Sequence, residues 1–408
     1  MCCVRIGITR SLLRPIWPTI LVEVSTDPGA ITVSDNGRGL PAETLLAILD
    51  YSYRVSSREA YVSPTRGAQG NALKTLLAMP FALDGTSGMS VVEARNERHM
   101  ITFRVDQLRQ EPVIDHRRMP LVPHKNGTSI RIGWPDSACS ILADAKPRFL
   151  QIADDFVWLN PHLRIRVEWD GEVEVKGEPS SPTWDKWRAC DPTSAHWYDP
   201  ARLERYIAAH VSRDQDHGRA RTIREFISEL RGFSGSAKQK RVLDETELTR
   251  AQLSSLFGPA GEAKRTDIAR LRHALQAHSK PVKPHDLGLI GKDHLLARFT
   301  KAKVEPEIFK YQKALGETEG LPWVVETAFG WCPSQDNHRR IVTGVNWSVA
   351  LGNPFRAFNR YGGEGLERLL ADQRASRGEP IIFVLHFACP RIGYTDRGKS
   401  AVTLPGAG

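Results

Sequence analysis

The chain has 408 residues, 41% apolar and 25% charged, with a formal net charge of +9. That balance fits an ordinary globular chain with room for two or three domains. No apolar run approaches the ~20 residues of a membrane span, and the opening MCCVRIGITRSLLRPIWPTI is too broken by Arg and Pro for a signal peptide. Six cysteines (2, 3, 139, 190, 332 and 389) form no CxxC pair. This argues against a zinc site or disulfide framework and predicts reduced thiols in a cytoplasmic protein without a membrane anchor. The positive excess suits a polyanionic partner, because Lys and Arg that neutralise phosphates release condensed counterions. It equally suits a soluble basic protein.

In chain order, TILVEVS and AITVSD read as two strands joined by the turn Asp27-Pro28-Gly29. Residues 41–52 read as a helix opened by Pro41. After a polar loop, a second helix begins near Gly70 and runs through NALKTLLAM. The strands MSVVEARN, HMITFRVD and TSIRIGW follow, then a helix around 142–156 and the strand LRIRVEW. The pattern predicts an α/β layer of helices on one mixed sheet. A Pro- and Ser-rich stretch, EPSSPTWDKWRACDPTS, marks a boundary, so residues 1–175 form the first domain and 176–195 a linker. Residues 196–287 are helical in period throughout: ARLERYIAAHV, TIREFISELRGF, SAKQKRVL, RAQLSSLF and DIARLRHALQAH. KPVKPHDLG is a second boundary. Residues 288–408 return to strands and helices, with WVVETAFGW, RRIVTGVNW, the helix EGLERLLADQRA and the strand IIFVLHFA suggesting a βαβ unit.

Three stretches carry candidate chemistry. In ITVSDNGRGLP a strand ends on Asp35, whose carboxylate can accept a hydrogen bond from an exocyclic amine, while Gly37 and Gly39 let the backbone turn close to a base. Alone, the same residues make a hairpin loop. In SPTRGAQGNALKTLLAM, Gly67 and Gly70 precede a helix whose N-terminal N–H groups can face phosphates, with Arg66 and Lys74 adding positive charge. Alone, this is a loop-to-helix junction. Gly127-Thr128 opens a strand, where the Thr128 hydroxyl can join the polar surroundings of Asp35 or simply begin the strand.

In order and spacing these stretches resemble the Bergerat-fold nucleotide site of the GHKL ATPases. Within that group, Val55-Ser56-Ser57-Arg58 followed by Thr65-Arg66-Gly67-Ala68-Gln69-Gly70 looks like the B subunit of DNA topoisomerase VI. The resemblance implies that Asp35 reads adenine, that Gly37 and Gly39 shape the base pocket, and that Gly67, Gln69 and Gly70 line the phosphates of ATP. Arg66, Asn71, Lys74 and Thr128 complete the expected nucleotide-binding set. Ala72 stands where the family usually has a further glycine. The family also places a helix before the first strand, bearing a catalytic Glu and an Asn that binds Mg²⁺. Here no Asp, Glu, Asn or Gln precedes Glu23. The expected Mg²⁺ therefore lacks its Asn ligand, and no metal-binding residue is nominated. Two readings stay open: a truncated or wrongly started product, or a shortened protein that binds ATP without hydrolysing it.

TIREFISELRGFSGSAKQKRVL has the form helix, glycine-rich turn, basic helix, with Lys238, Lys240 and Arg241 placed for phosphate contact or for a solvated face. In form and position it is similar to the helix-two-turn-helix module of topoisomerase VI B subunits. The last domain resembles their transducer, and HFACPRIGYTDRGKSAV nominates Lys399 as the lysine that reaches the γ-phosphate from a neighbouring domain, with an exposed loop lysine as the alternative. TGVNWSVALGNPFR reads as packing and turn residues. The family implies an ATP-dependent homodimer of B protomers clamped on double-stranded DNA, and a separate topoisomerase VI A-like subunit for cleavage. The rival from another class is a degenerate nucleotide-dependent interaction protein without hydrolysis or topoisomerase activity. A histidine-kinase-like protein would leave the C-terminal domain unexplained.

Overall fold

The strand pair at the start sets the frame. In the computed structural model, residues 17–51, 60–65, 72–85, 88–122, 126–181, 183–188, 190–216, 218–332, 338–356, 365–395 and 400–403 are described. β1 (Thr19–Thr26) and β2 (Gly29–Asp35) are rich in β-branched residues and pair antiparallel, Val22 opposite Val33. Gly29 cannot carry a side chain, since a Cβ there would lie 2.8 Å from both Cys139 Sγ and the Trp134 carbonyl oxygen.

The chain continues through α1 (Ala42–Leu49), α2 (Ala72–Asp84), β3 (Gly88–Ala94), β4 (Glu97–Asp106), β5 (Glu111–Pro120) and β6 (Thr128–Gly133). It then forms α3 (Cys139–Asp144), α4 (Lys146–Leu159), β7 (Arg164–Trp169) and β8 (Glu172–Gly177). The result is an eight-stranded sheet ordered β5-β4-β3-β6-β2-β1-β7-β8. Its pairing is antiparallel except between β1 and β7. The alternation of each strand buries one face against helices, as a period of two requires. Val22, Val24, Ile165, Val167 and Trp169 pack with Leu142, Ala153 and Val157 of α3 and α4. Val92, Ile101 and Ile132 pack with Leu45, Leu49 and Leu77 of α1 and α2. This is the mixed α/β layer that the sequence predicts. β5 and β8 were not expected. Both are edge strands: EPVIDHRRMP carries charges and prolines and EVEVKG carries charges, because an edge pairs on one side only.

The helical region holds α5 (Pro200–Asp216), α6 (Ile223–Ser228), α7 (Ser236–Thr246) and α8 (Arg265–Ala277). Thr222 and Glu225 close a reciprocal capping box at the start of α6. RAQLSSLF, read as a helix, forms only a 3₁₀ turn at Leu253–Leu256. There the Ser255 hydroxyl donates to the Gln252 carbonyl and the Leu253 N–H goes to Arg221, so the ladder is diverted.

α9 (Lys292–Lys301) leads into β9 (Lys310–Thr318), β10 (Leu321–Trp331), β11 (Arg340–Val345), β12 (Ser348–Val349), α10 (Leu366–Asp372) and β13 (Ile381–Ala388). α9 and β9 were not anticipated, β9 because KYQKALGET is an edge strand with little apolar alternation. The second sheet runs β12-β11-β13-β10-β9, and β11 lies parallel to β13 with α10 between them in sequence, the expected βαβ unit. A single apolar core passes from the helical region (Phe226, Leu243, Leu271) into this sheet (Val324, Val384). The predicted linker is packed against that core: Trp187 is buried with its ring 4.8 Å from Trp197, and Trp184 Nε1 donates to the Leu289 carbonyl.

α4 is shared by both halves. One face packs on the first sheet, while Asp154 accepts from Arg298 and Arg340, and Asp155 from Arg340. Both guanidinium groups stack on Trp158, at 5.3 and 5.2 Å from its ring centre.

Candidate functional site

The two helical layers over the first sheet do not meet across β2. Ile31 belongs to the α3–α4 cluster and Ile130, opposite Val33, to the α1–α2 cluster. Between them Val33 is 42% exposed and Asp35, two residues on and facing the same way, is exposed. Among the described residues, β2 thus presents an apolar floor ending in an acid, open to solvent on the otherwise buried side of a central strand.

The loop after Asp35 is held on every side. Asp35 Oδ1 accepts from the Gly37 N–H at 2.6 Å, and among the described residues Oδ2 makes no hydrogen bond. Asn36 ties the loop to the start of β1, accepting from the Thr19 N–H at 2.9 Å and donating to the Trp17 carbonyl at 2.7 Å. Thr128 Oγ1 accepts from the Leu40 N–H at 3.0 Å. The Thr128 hydroxyl therefore braces the far end of the loop. Gly127, at φ 86°, lies against β2 so tightly that a Cβ would meet the Asp35 carbonyl oxygen at 1.8 Å. Gly39 has φ 77°, and a Cβ on Gly37 would sit 2.7 Å from Asp35 Oδ1 and so push that carboxylate aside.

Arg95 is a contributor that sequence reasoning missed. It stands with Asn96 in the β3–β4 turn, both at positive φ, and its Nε donates to the carbonyls of Arg38 (3.3 Å) and Gly39 (3.1 Å). The dipeptide Arg-Asn is a recognisable turn signal, yet nothing local says where the turn will land.

Lys74 is placed at the other end of α1. Its ammonium donates to the Asp50 carbonyl at 2.6 Å and lies 5.7 Å from the Tyr51 ring centre, while Tyr51 Oη donates to the Lys74 carbonyl. A cation there complements the negative end of α1. Arg66, Gly67, Gln69, Gly70, Asn71 and Lys399, like residues 55–58, lie outside the described residues. Two clefts, of about 370 Å³ beside Arg339 and Glu367 and about 470 Å³ beside Arg131 and Asp84, lie elsewhere and include neither Asp35 nor Thr128.

In the helical region, Lys238, Lys240 and Arg241 are exposed on α7 while Gln239, Val242 and Leu243 point inward. Gln239 Nε2 donates to the Phe233 carbonyl at 2.7 Å, which fixes the rotation of the helix and turns the three cations to solvent. Gly232, at φ 86°, lets the preceding turn close. Lys238, in the first turn, opposes the helix macrodipole by roughly 0.3–1 kcal/mol, an effect that fades by Lys240 and Arg241. An anionic partner would reverse that sign.

No protein-family model matches the chain, and no curated protein does. Among solved structures it is similar to the B subunit of DNA gyrase from Myxococcus xanthus (12% identity, TM-score 0.37, 96% of this chain on 80% of that one). It is also similar to the ATPase region of Saccharomyces cerevisiae topoisomerase II (10% identity, TM-score 0.39, 96% on 72%). A third is the Aquifex aeolicus MutL ATPase domain complexed with ADP (10% identity, TM-score 0.33, 91% on 84%). At these identities and TM-scores the likenesses carry no argument about what this chain does. No helix among the described residues is long and apolar enough to cross a membrane.

Proposed function

We propose that the chain binds ATP at the open stretch of β2 and acts as a B-subunit-like component of a type IIB topoisomerase of the topoisomerase VI kind. The observation that carries the nucleotide site is Asp35: an exposed carboxylate with an unused acceptor atom, on an apolar floor, at the head of a loop held by Thr19, Thr128 and Arg95. Such a group pairs with an exocyclic amine while Val33 takes the face of a planar base. The glycine-rich segment 66–71 supplies phosphate contacts, ahead of the N-terminus of α2.

The chemistry that bound Mg²⁺ supplies in such enzymes is charge neutralisation at the phosphates, and an Asn usually holds it. Asn36 is not available to it, since both ends of its side chain are spent on Trp17 and Thr19. The described residues do not fit that metal, so the function proposed is nucleotide binding, and no hydrolytic step is derived. A second reading is a nucleotide-dependent interaction protein that does not turn ATP over.

For the rest of the reading, α7 presents its cations to the phosphates of double-stranded DNA, and ATP closes two copies of the chain around it. A separate A-like subunit would cut the DNA.

Calorimetry with a non-hydrolysable ATP analogue tests the site: Asp35→Ala abolishes binding, and unchanged binding removes the assignment. For DNA, log affinity falls linearly with log salt, and Lys238→Ala with Lys240→Ala lowers that slope by about 2. A slope that the double variant leaves untouched takes α7 out of the interface.

A further inference from the structure

The turn between β11 and β12 carries one residue that should not be there. A two-residue hairpin of this kind needs positive φ at both positions and favours Asn-Gly. Here Asn346 (φ 49°) is followed by Trp347 (φ 60°), a bulky residue in a strained left-handed conformation. Both are buried. A strained turn in a core persists only where its surroundings over-determine it.

Those surroundings come from opposite sides. Towards β13, Asn346 grips the backbone of Cys389 with both ends of its amide: Oδ1 accepts from the Cys389 N–H at 2.9 Å, and Nδ2 donates to the Cys389 carbonyl at 3.1 Å. The Asn346 N–H donates to the Phe387 carbonyl at 2.9 Å, and the Trp347 N–H donates to His386 Nε2 at 3.2 Å. Towards the first sheet, the Trp347 carbonyl accepts from Asn160 Nδ2 at 3.0 Å. Asn160 ends α4, the helix that packs on β1 and β7, and the same Nδ2 also donates to the Phe156 carbonyl. Asn160 Oδ1 in turn accepts from Lys186, whose ammonium lies 5.2 Å from the Trp347 ring centre.

We infer that the Asn346–Trp347 turn is a mechanical joint, through which the end of β13 and the end of α4 hold one another in register. The joint is made of polar bonds with discrete partners, where apolar packing would let the two elements slide. The bonds of Asn346 with Cys389, of Trp347 with His386 and of Asn160 with Trp347 are buried, so losing one leaves a group unsatisfied, and the effect passes to the next bond. A displacement of residues 389–395 would thus reach the helix layer beside the Asp35 strand. The joint stands whether or not that strand binds a nucleotide.

Hydrogen–deuterium exchange on the full chain tests this without any ligand. Asn160→Ala removes the α4 side alone, and Asn346→Gly removes the grip on Cys389 while keeping a residue that tolerates positive φ. Asn160→Ala is expected to speed exchange at 387–391 by roughly five- to tenfold, and Asn346→Gly to do the same at 156–160. The double variant should exceed neither single by much, because both cut one chain of bonds. Changes confined to the segment carrying each substitution, or effects that simply add, overturn the joint. Should Asn346→Gly fail to fold, Asn160→Ala read at 387–391 decides alone.

Discussion

Each sheet carries a carboxylate on the inward face of a central strand, and the two could hardly differ more. Asp35 on β2 is exposed and accepts one hydrogen bond, from its own loop. Glu326 on β10 is buried and saturated. Its oxygens accept from the N–H groups of Ile290 (2.8 Å) and Gly291 (2.9 Å), from Tyr311 Oη (2.8 Å) and from His386 Nδ1 (3.3 Å). The Trp347 N–H occupies His386 Nε2, which assigns the ring proton to Nδ1, facing Glu326. A carboxylate whose acceptor sites are all filled by the protein has nothing left for a ligand and works as a structural tie, here between α9, β9, β10 and β13. A carboxylate left with an unfilled acceptor in an open floor is free to pair with a ligand, which is the role we propose for Asp35.

The largest effect expected from this contrast is on folding. Glu326→Leu leaves two backbone N–H groups, a phenol and an imidazole without their acceptor, and removing one member of a buried charged network typically costs about 3–5 kcal/mol. Urea unfolding should show that loss. A variant within 1 kcal/mol of the parent, a value far below this range, would mean that the four donors find other partners and that saturation is not structural.

A smaller effect follows from pH. Burial alone pushes the Glu326 carboxyl up, but the hydrogen bond from His386 and those from Gly291 and Ile290 outweigh it and hold the group below the usual carboxylate range. A folded-state pKa that is depressed contributes stability above the unfolded value of about 4.3, and that contribution disappears as pH falls through the folded value. Unfolding free energy should therefore decline with acid below that point, less steeply in Glu326→Gln, whose amide does not titrate. Asp154 acts in the same direction: burial opposes ionisation, and Arg340 and Arg298 overcome it. Asp155, where burial wins over Arg340, acts oppositely. Identical acid slopes in parent and Glu326→Gln would remove Glu326 from the account.

The two acids also mark how far the sequence could be read. Asp35 was visible because its loop is local: Gly37, Gly39 and Leu40 follow within five positions, and glycine next to an acid at a strand end is a spacing a linear reading detects. Most of the helices and the central strands were legible through period, and the βαβ unit through its order. Glu326 was invisible as a node because its partners stand 36, 35, 15 and 60 positions away. Arg95 escaped for the same reason, 57 and 56 positions from the carbonyls it holds. Edge strands escaped because they need no apolar alternation. The Asn346–Trp347 turn was recognised as turn and packing, which is what its residues show locally. Its grip on α4 and β13 exists only once three distant segments meet.

The smallest effect on stability, and the sharpest form of the contrast, comes from making one substitution at both acids. At Glu326 an amide turns one acceptor oxygen into an NH₂ donor facing N–H groups, so Glu326→Gln costs about 1–3 kcal/mol for the group it orphans. At Asp35 the amide oxygen of Asn can keep the Gly37 bond, and the NH₂ group faces solvent in the open floor. Asp35→Asn should therefore leave stability within about 0.5 kcal/mol of the parent. Its cost should appear only when an exocyclic amine arrives: two donors then oppose each other, and affinity for an ATP analogue should fall at least about tenfold, the equivalent of one lost hydrogen bond of ~1.4 kcal/mol. Melting and calorimetry on the same samples decide it. Lost stability without lost binding would make Asp35 a second Glu326, an acid used by the fold and not by a ligand.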